Sequence, residues 1–402
     1  MVSFASRFGV YVHFPYCLSK CPYCDFASVV AAEVPHARYR DAVARELALR
    51  ASEHGRPAGG VESLYFGGGT PSLWDPACVA STIETVDRLF GIAPGCEITL
   101  EANPGASDAA RFGALRSAGV NRLSIGVQSF EPAILAGLGR QHSPEEAVAA
   151  LRSARAAGID NLSLDLIFGG PGQTPAMARA DVERAIALGP EHLSCYGLTL
   201  EGLAEEVRLA KDVKRGRVQV PDDAAQAEMG ELVREALAAA GYERYEISNY
   251  AKAGRESRHN SLYWLGREYV AAGCGAHGFR RTAGGGGYRY GNPRKPEAYL
   301  AAAEAGGAPE VERDTISPAE LFEERIFLGL RLTAGFDLEA AARETVGALP
   351  AEMERRLAKL VAQGLVVREG SSLRCTERGL DYHTEVAVQL LPDETVALPV
   401  VG

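Results

Sequence analysis

A chain of 402 residues, 47% hydrophobic and 23% charged, has the composition of a folded globular protein and the length for one large barrel with an appendage, which excludes disordered and fibrous classes. A formal net charge of -10 gives no general basic field, so nucleic acid is not an expected partner. The opening residues lack the pattern of a secretory leader and no run of about 18 uninterrupted apolar residues marks a membrane span, so the chain reads as cytoplasmic.

Short β-prone runs alternate with helical patterns over the first half of the chain. They are Gly9 to Phe14, Val61 to Phe66, Glu97 to Glu101, Arg122 to Val127, Asn161 to Phe168 and His192 to Leu198. Polar or glycine-rich sequence follows nearly every run at the same end, which favours a partial (β/α)6 barrel of the α/β class over a doubly wound sheet. DDAAQAEMGELVREALAAAG predicts a further helix leading into a strand within YERYEIS, so the core is expected to span residues 1–247. Residues 248–312 are expected to form an extension that contains RHNSLYW and GCGAHGFRRTAGGGGYRYGN, whose glycine run reads as a mobile hairpin tip. In residues 313–402, SPAELFEERIFLGLRL, a helix from about Glu339, AEMERRLAKLVAQGLV, a hairpin in LVVREGSSLRCT and a final helix predict a helical, winged-helix-like domain. Such a module makes protein contacts about as readily as it reads DNA.

Of eight cysteines, Cys78, Cys96, Cys195, Cys274 and Cys375 are scattered singly, as buried thiols in a reducing compartment are. Cys17, Cys21 and Cys24 cluster in YCLSKCPYCDF, where Pro22 argues for a loop rather than a helix. Apart from chance, two chemistries fit three thiolates on a loop. One is a structural zinc with His13 as fourth ligand; the other is a 4Fe-4S cube, whose usual four cysteines leave one iron open when only three are supplied. The other strand ends carry groups suited to a bound reactant. Gly67, Gly68 and Gly69 permit close backbone approach and Thr70 adds a hydroxyl, while Glu101 and Gln128 follow the third and fourth runs. Arg140, in LGRQHS, has a fork suited to a carboxylate, and Asp165 lies within an apolar run where its charge needs a partner.

The spacing C17-LSK-C21-PY-C24 after a first strand resembles the signature of the radical S-adenosylmethionine superfamily. YVHFPYCLSKCPYCDF, YFGGGTPS, EANPG, RLSIGVQSF, LGRQHS and DLIFGGPGQT are similar to the branch that holds oxygen-independent coproporphyrinogen III dehydrogenase and the HemW-type haem chaperones. That resemblance implies a 4Fe-4S cluster on Cys17, Cys21 and Cys24. It implies S-adenosylmethionine contacts from Tyr11, Gly68, Gly69, Thr70, Glu101, Gln128, Arg140 and Asp165, with Tyr23 and Gly197 as further candidates. Two features lean toward the chaperones: Phe26 stands where the dehydrogenase has a further cysteine, and only sixteen residues precede Cys17, where the dehydrogenase carries a longer extension. RHNSLYW resembles the chaperones' HNxxYW motif, which makes His259 the first haem candidate, with His277 and Cys274 of GCGAHGF next; GAHG stands where the family has GAHS. The resemblance further implies haem as cargo, membrane respiratory haemoproteins as recipients, and a homodimer linked to the cluster.

Overall fold

The computed structural model describes residues 8–105, 109–201, 203 and 207–391. Six strands, β1 (Gly9–Phe14), β2 (Val61–Gly68), β3 (Ile92–Ala102), β4 (Arg122–Gln128), β5 (Asn161–Phe168) and β6 (His192–Gly197), lie side by side and parallel. Helices α1 (His36–His54), α2 (Pro76–Phe90), α3 (Phe112–Ala118), α4 (Pro144–Ala156) and α5 (Pro175–Leu188) occupy the connections, and α6 (Asp223–Ala239) follows the last strand. Alternation along each strand sorts the side chains. In β1, Val10, Val12 and Phe14 are fully buried in the apolar core, while Tyr11 and His13 point to the opposite face, among polar groups.

The sheet continues beyond the six repeats. Beside β6 lie β8 (Asn249–Ala251) and then β7 (Glu243–Arg244), both antiparallel. On the other side, β9 (Tyr269–Ala272) runs parallel to β1, and β10 (His277–Arg281), β11 (Gly287–Gly291) and β12 (Glu312–Ile316) extend the sheet antiparallel, with helix α7 (Arg258–Trp264) before β9 and α8 (Pro296–Glu304) before β12. The order is β12-β11-β10-β9-β1-β2-β3-β4-β5-β6-β8-β7, so the barrel is partial and β1 is an interior strand. Residue 247 falls between β7 and β8, two neighbours in this sheet. The strand expected in YERYEIS is confined to Glu243–Arg244, because buried Glu246 accepts from Ser248 N and Asn249 Nδ2 and turns the chain instead.

The glycine-rich stretch is a hairpin of β10 and β11, but its tip is packed against neighbouring backbone. A Cβ on Gly285 (φ +91°) would sit 2.3 Å from the Thr345 carbonyl oxygen, and one on Gly286 2.5 Å from that of Ile316. Glycine is needed there because another backbone already fills the space.

The C-terminal unit has its own core. Helices α9 (Pro318–Gly329), α10 (Leu338–Glu344), α11 (Ala351–Ala362) and α12 (His383–Leu390) surround Ile326, Leu357, Leu360 and Val386, beside a sheet of order β13 (Phe336–Asp337), β15 (Ser372–Cys375), β14 (Val366–Glu369). A capping box between Ser317 and Glu320 starts α9, as SPAE foreshadows. Arg355 and Arg356 reach Glu352, Arg368 reaches Glu354 and Glu339, and Arg374 reaches Glu369, so the face of α11 and the wing is of mixed charge.

Candidate functional site

The three clustered cysteines lie on the loop that leaves β1. Tyr16–Cys17 pairs with Val29–Val30 to pin the two ends of this loop, and its Pro22 rests against Gly139 (φ +67°), where a Cβ would come within 2.4 Å of the proline ring. All three thiols are free and half-buried, and burial pushes the Cys17 and Cys24 thiols above their ordinary value. A zinc held with His13 loses its fourth ligand. His13 Nε2 lies 3.0 Å from the Ala27 carbonyl, which can only accept, so Nδ1 accepts from the Tyr11 hydroxyl at 3.0 Å and both ring nitrogens are engaged.

A chain of hydrogen bonds links two of the sulfurs. Thr70 Oγ1 donates to Cys17 Sγ at 3.6 Å and accepts from Asn103 Nδ2 at 3.0 Å. Asn103 Oδ1 accepts from Arg140 Nη2 at 2.6 Å, and Arg140 Nη1 points at Cys21 Sγ at 3.5 Å. Arg140 Nη2 also donates to the Gly126 carbonyl at 2.7 Å, while Nε is buried with no hydrogen-bond partner among the described residues.

Below the loop the lumen is polar. Glu101 accepts from Tyr65 at 2.8 Å and from Gly68 N at 3.0 Å; burial, with the Asp165 charge adding to it, pushes its carboxyl up to about 7. Asp165 has the partners its charge requires: Ser124 Oγ donates to its carboxylate at 3.0 and 3.1 Å and Ser163 Oγ at 3.4 Å, although burial still raises its pKa. Gln128 is the one non-glycine residue at positive φ (66°) among the described residues, at a bulge where β4 shifts register against β5. The bulge folds its amide back over Gly126, beside Arg140.

The three glycines at and just beyond the end of β2 are dictated by the protein's own packing. A Cβ on Gly67 would strike the Tyr11 and Tyr65 rings, one on Gly68 the His13 ring at 2.5 Å, and one on Gly69 the Phe14 and Tyr16 carbonyls. Tyr23 packs against Ile134, Leu138 and Ile167, and Gly197 sits exposed at the end of β6 against Phe168. Asn103 and Tyr65 were missed in the sequence, although both stand inside quoted motifs, EANPG and YFGGGTPS. Their partners lie far off in the sequence: Glu101 for Tyr65, and Thr70 and Arg140 for Asn103.

Comparison with known proteins gives the family. The radical SAM superfamily model matches residues 11–185, and the HemN C-terminal domain model matches residues 316–382. The chain is 38% identical over 375 residues to "Heme chaperone HemW" of Mycobacterium tuberculosis, covering 92% of each chain, and 37% identical to the protein of that name in Escherichia coli, covering 92% of this chain and 94% of the relative. The chain belongs to the HemW family. A solved structure of coproporphyrinogen III oxidase (HemN) from E. coli, 21% identical, superposes with a TM-score of 0.79 over 96% of this chain and 90% of that one, and shows the shared fold.

RHNSLYW forms helix α7 (Arg258–Trp264), which packs against Gly9 at the start of β1, whereas the cysteine loop leaves the other end of that strand. Buried His259 has Nδ1 2.9 Å from Ser63 Oγ and Nε2 2.9 Å from the Tyr263 hydroxyl, and it stacks on Tyr65. Neither ring nitrogen is open to iron, and burial lowers its pKa to about 3. Trp264 lies under the Arg331 guanidinium of the C-terminal unit at 4.2 Å, so the motif joins lumen and appendage. Cys274 is also closed: it is fully buried and its Sγ faces the Pro293 carbonyl at 3.1 Å. Only His277 of the three is exposed, with Nδ1 3.5 Å from Glu312 Oε1. The departure GAHG has a local cause, because a Cβ on Gly278 would fall 2.2 Å from the Tyr290 ring across the ladder.

Proposed function

We propose that the protein is a haem chaperone that carries a 4Fe-4S cluster and S-adenosylmethionine, takes up haem, and passes it to respiratory haemoproteins of the membrane. The observation that carries this reading is the cysteine loop. Three half-buried thiols share one short loop, with hydrogen-bond donors aimed at two of the sulfurs, above a lumen that holds the Arg140 guanidinium and the Glu101 carboxylate. Cys17, Cys21 and Cys24 would hold the cluster, and Arg140 Nε and Glu101 fit the carboxylate and ammonium of a methionyl group. Bound together, the cluster and S-adenosylmethionine would supply one-electron chemistry at a sulfonium. The raised thiol pKa values mean that loading expels protons.

His277 is the accessible haem candidate, and partial desolvation of its ring, with the Arg289 and Arg294 charges adding to it, holds its pKa below the ordinary 6.5, favouring the neutral form that ligates iron. Exposed Leu18, Phe26 and Val30 flank the cysteine loop and offer an apolar surface for a second copy or a recipient. No helix among the described residues is long and apolar enough to cross a membrane, so the proposed delivery runs through a protein contact.

One anaerobically reconstituted sample tests the reading. Iron and acid-labile sulfide, S-adenosylmethionine binding and haem absorption spectra are all expected to be positive, with iron lost in Cys17→Ala, Cys21→Ala and Cys24→Ala. Substantial decarboxylation of coproporphyrinogen III by the same sample would overturn the chaperone reading in favour of the dehydrogenase.

A further inference from the structure

We infer that Asn103 is a positioning residue that sets the surroundings of two cysteine sulfurs at once. Its amide orientation is forced. A guanidinium only donates, so Oδ1 faces Arg140 and Nδ2 faces Thr70. The Thr70 hydroxyl, already accepting from Asn103, is left to direct its single hydrogen at Cys17 Sγ. At the other end, Asn103 Oδ1 and the Gly126 carbonyl together hold Arg140 Nη2, which leaves Nη1 aimed at Cys21 Sγ. One carboxamide therefore keeps two donors on two sulfurs of the same loop.

The consequence rests on the cluster reading above. Donors aimed at ligand sulfurs stabilise the more negative, reduced state of a cluster and raise its potential. An aspartate in this place would keep the Arg140 bond but could only accept, so the Thr70 hydroxyl would turn to it and away from Cys17. The isosteric change thus removes one arm while sparing the other.

The test is a redox titration of the reconstituted full chain, followed by the electron paramagnetic resonance signal of the reduced cluster. Asn103→Leu is expected to keep the wild-type iron content while the one-electron equilibrium shifts at least about tenfold toward the oxidised form, the weight of one net hydrogen bond and equivalent to about 59 mV, and Asn103→Asp should shift it the same way, its added negative charge acting in the same direction as the lost Thr70 arm. Thr70→Val should shift it in the same direction, and the Asn103→Leu/Thr70→Val double variant by less than the sum of the two. A wild-type potential in iron-loaded Asn103 variants, or additive shifts in the double variant, overturns the proposal; a purely structural role would lower the thermal midpoint and leave the potential alone. Should Asn103→Leu arrive without iron, the same criteria apply to Asn103→Asp. Absence of iron and sulfide from the wild-type chain would instead refute the cluster reading itself.

Discussion

Protonation of Glu101 offers the sharpest check on the lumen as a nucleotide site. Its carboxyl is pushed up to about 7 from an ordinary 4.5, chiefly by burial, with Asp165 adding to the effect. A carboxylic acid cannot pair with an ammonium as a carboxylate can, so the affinity for S-adenosylmethionine scales with the ionised fraction. With a pKa near 7 that fraction is roughly one tenth at pH 6 and nine tenths at pH 8, so affinity should rise about tenfold across this range. The ligand's own amino group titrates near 7.8 in both proteins compared, so the readout is the ratio of wild-type to Glu101→Gln affinity, measured by isothermal titration at each pH. A ratio that stays flat from pH 6 to pH 8 would falsify the assignment. Stability of the ligand-free chain should move the other way. Because folding raises this pKa, the contribution is fully present below the unfolded value of 4.5 and is lost as pH rises through about 7.

Glu46, wholly buried, accepts from Gly273 N, Asn292 and Tyr299 and pairs with buried Arg50, so Glu46→Ala should cost about 3–5 kcal/mol by denaturant unfolding; a loss below about 1 kcal/mol would show the network to be dispensable. Gly285→Ala drives a Cβ into the Thr345 carbonyl and is expected to cost about 1–3 kcal/mol, more than Gly284→Ala, which has the same left-handed backbone but open space; equal losses would mean that the hairpin tip is not docked. His259→Ala should lower the thermal midpoint and leave haem stoichiometry intact, whereas His277→Ala should weaken haem binding at unchanged stability, and the reverse pattern would restore the buried histidine as ligand.

Much of the fold was legible because strands and helices announce themselves locally. The alternation of Val10, Val12 and Phe14 with Tyr11 and His13 marks β1, and Ser317 with Glu320 marks the start of α9. The strand-end residues were legible for a related reason: parallel βα units place every such end on one face. What no local pattern contains is partnership at a distance. Asn103 stood in plain view in EANPG, but its meaning depends on Thr70 and Arg140, 33 and 37 residues away. The pairing of Tyr269–Ala272 with β1 was equally invisible, since β-propensity carries no address for the neighbour. His259 misled because exposure cannot be read from a motif. Glu97 accepts from the backbone nitrogens of Arg258 and His259 at the start of α7, and the histidine ring points inward to Ser63.

The interior position of β1 also bears on biosynthesis. Gly9 pairs with Ser63 on one side and with Tyr269 on the other, and a Cβ on Gly273 would fall 2.3 Å from the His13 carbonyl. While the chain is still emerging from the ribosome, its first strand has a partner along one edge only, and the backing of the cysteine loop is absent until residues 269–273 follow. A metal delivered before residues 269–273 emerge would meet three cysteines on an unsupported loop, so loading of the proposed cluster is expected to follow that stretch.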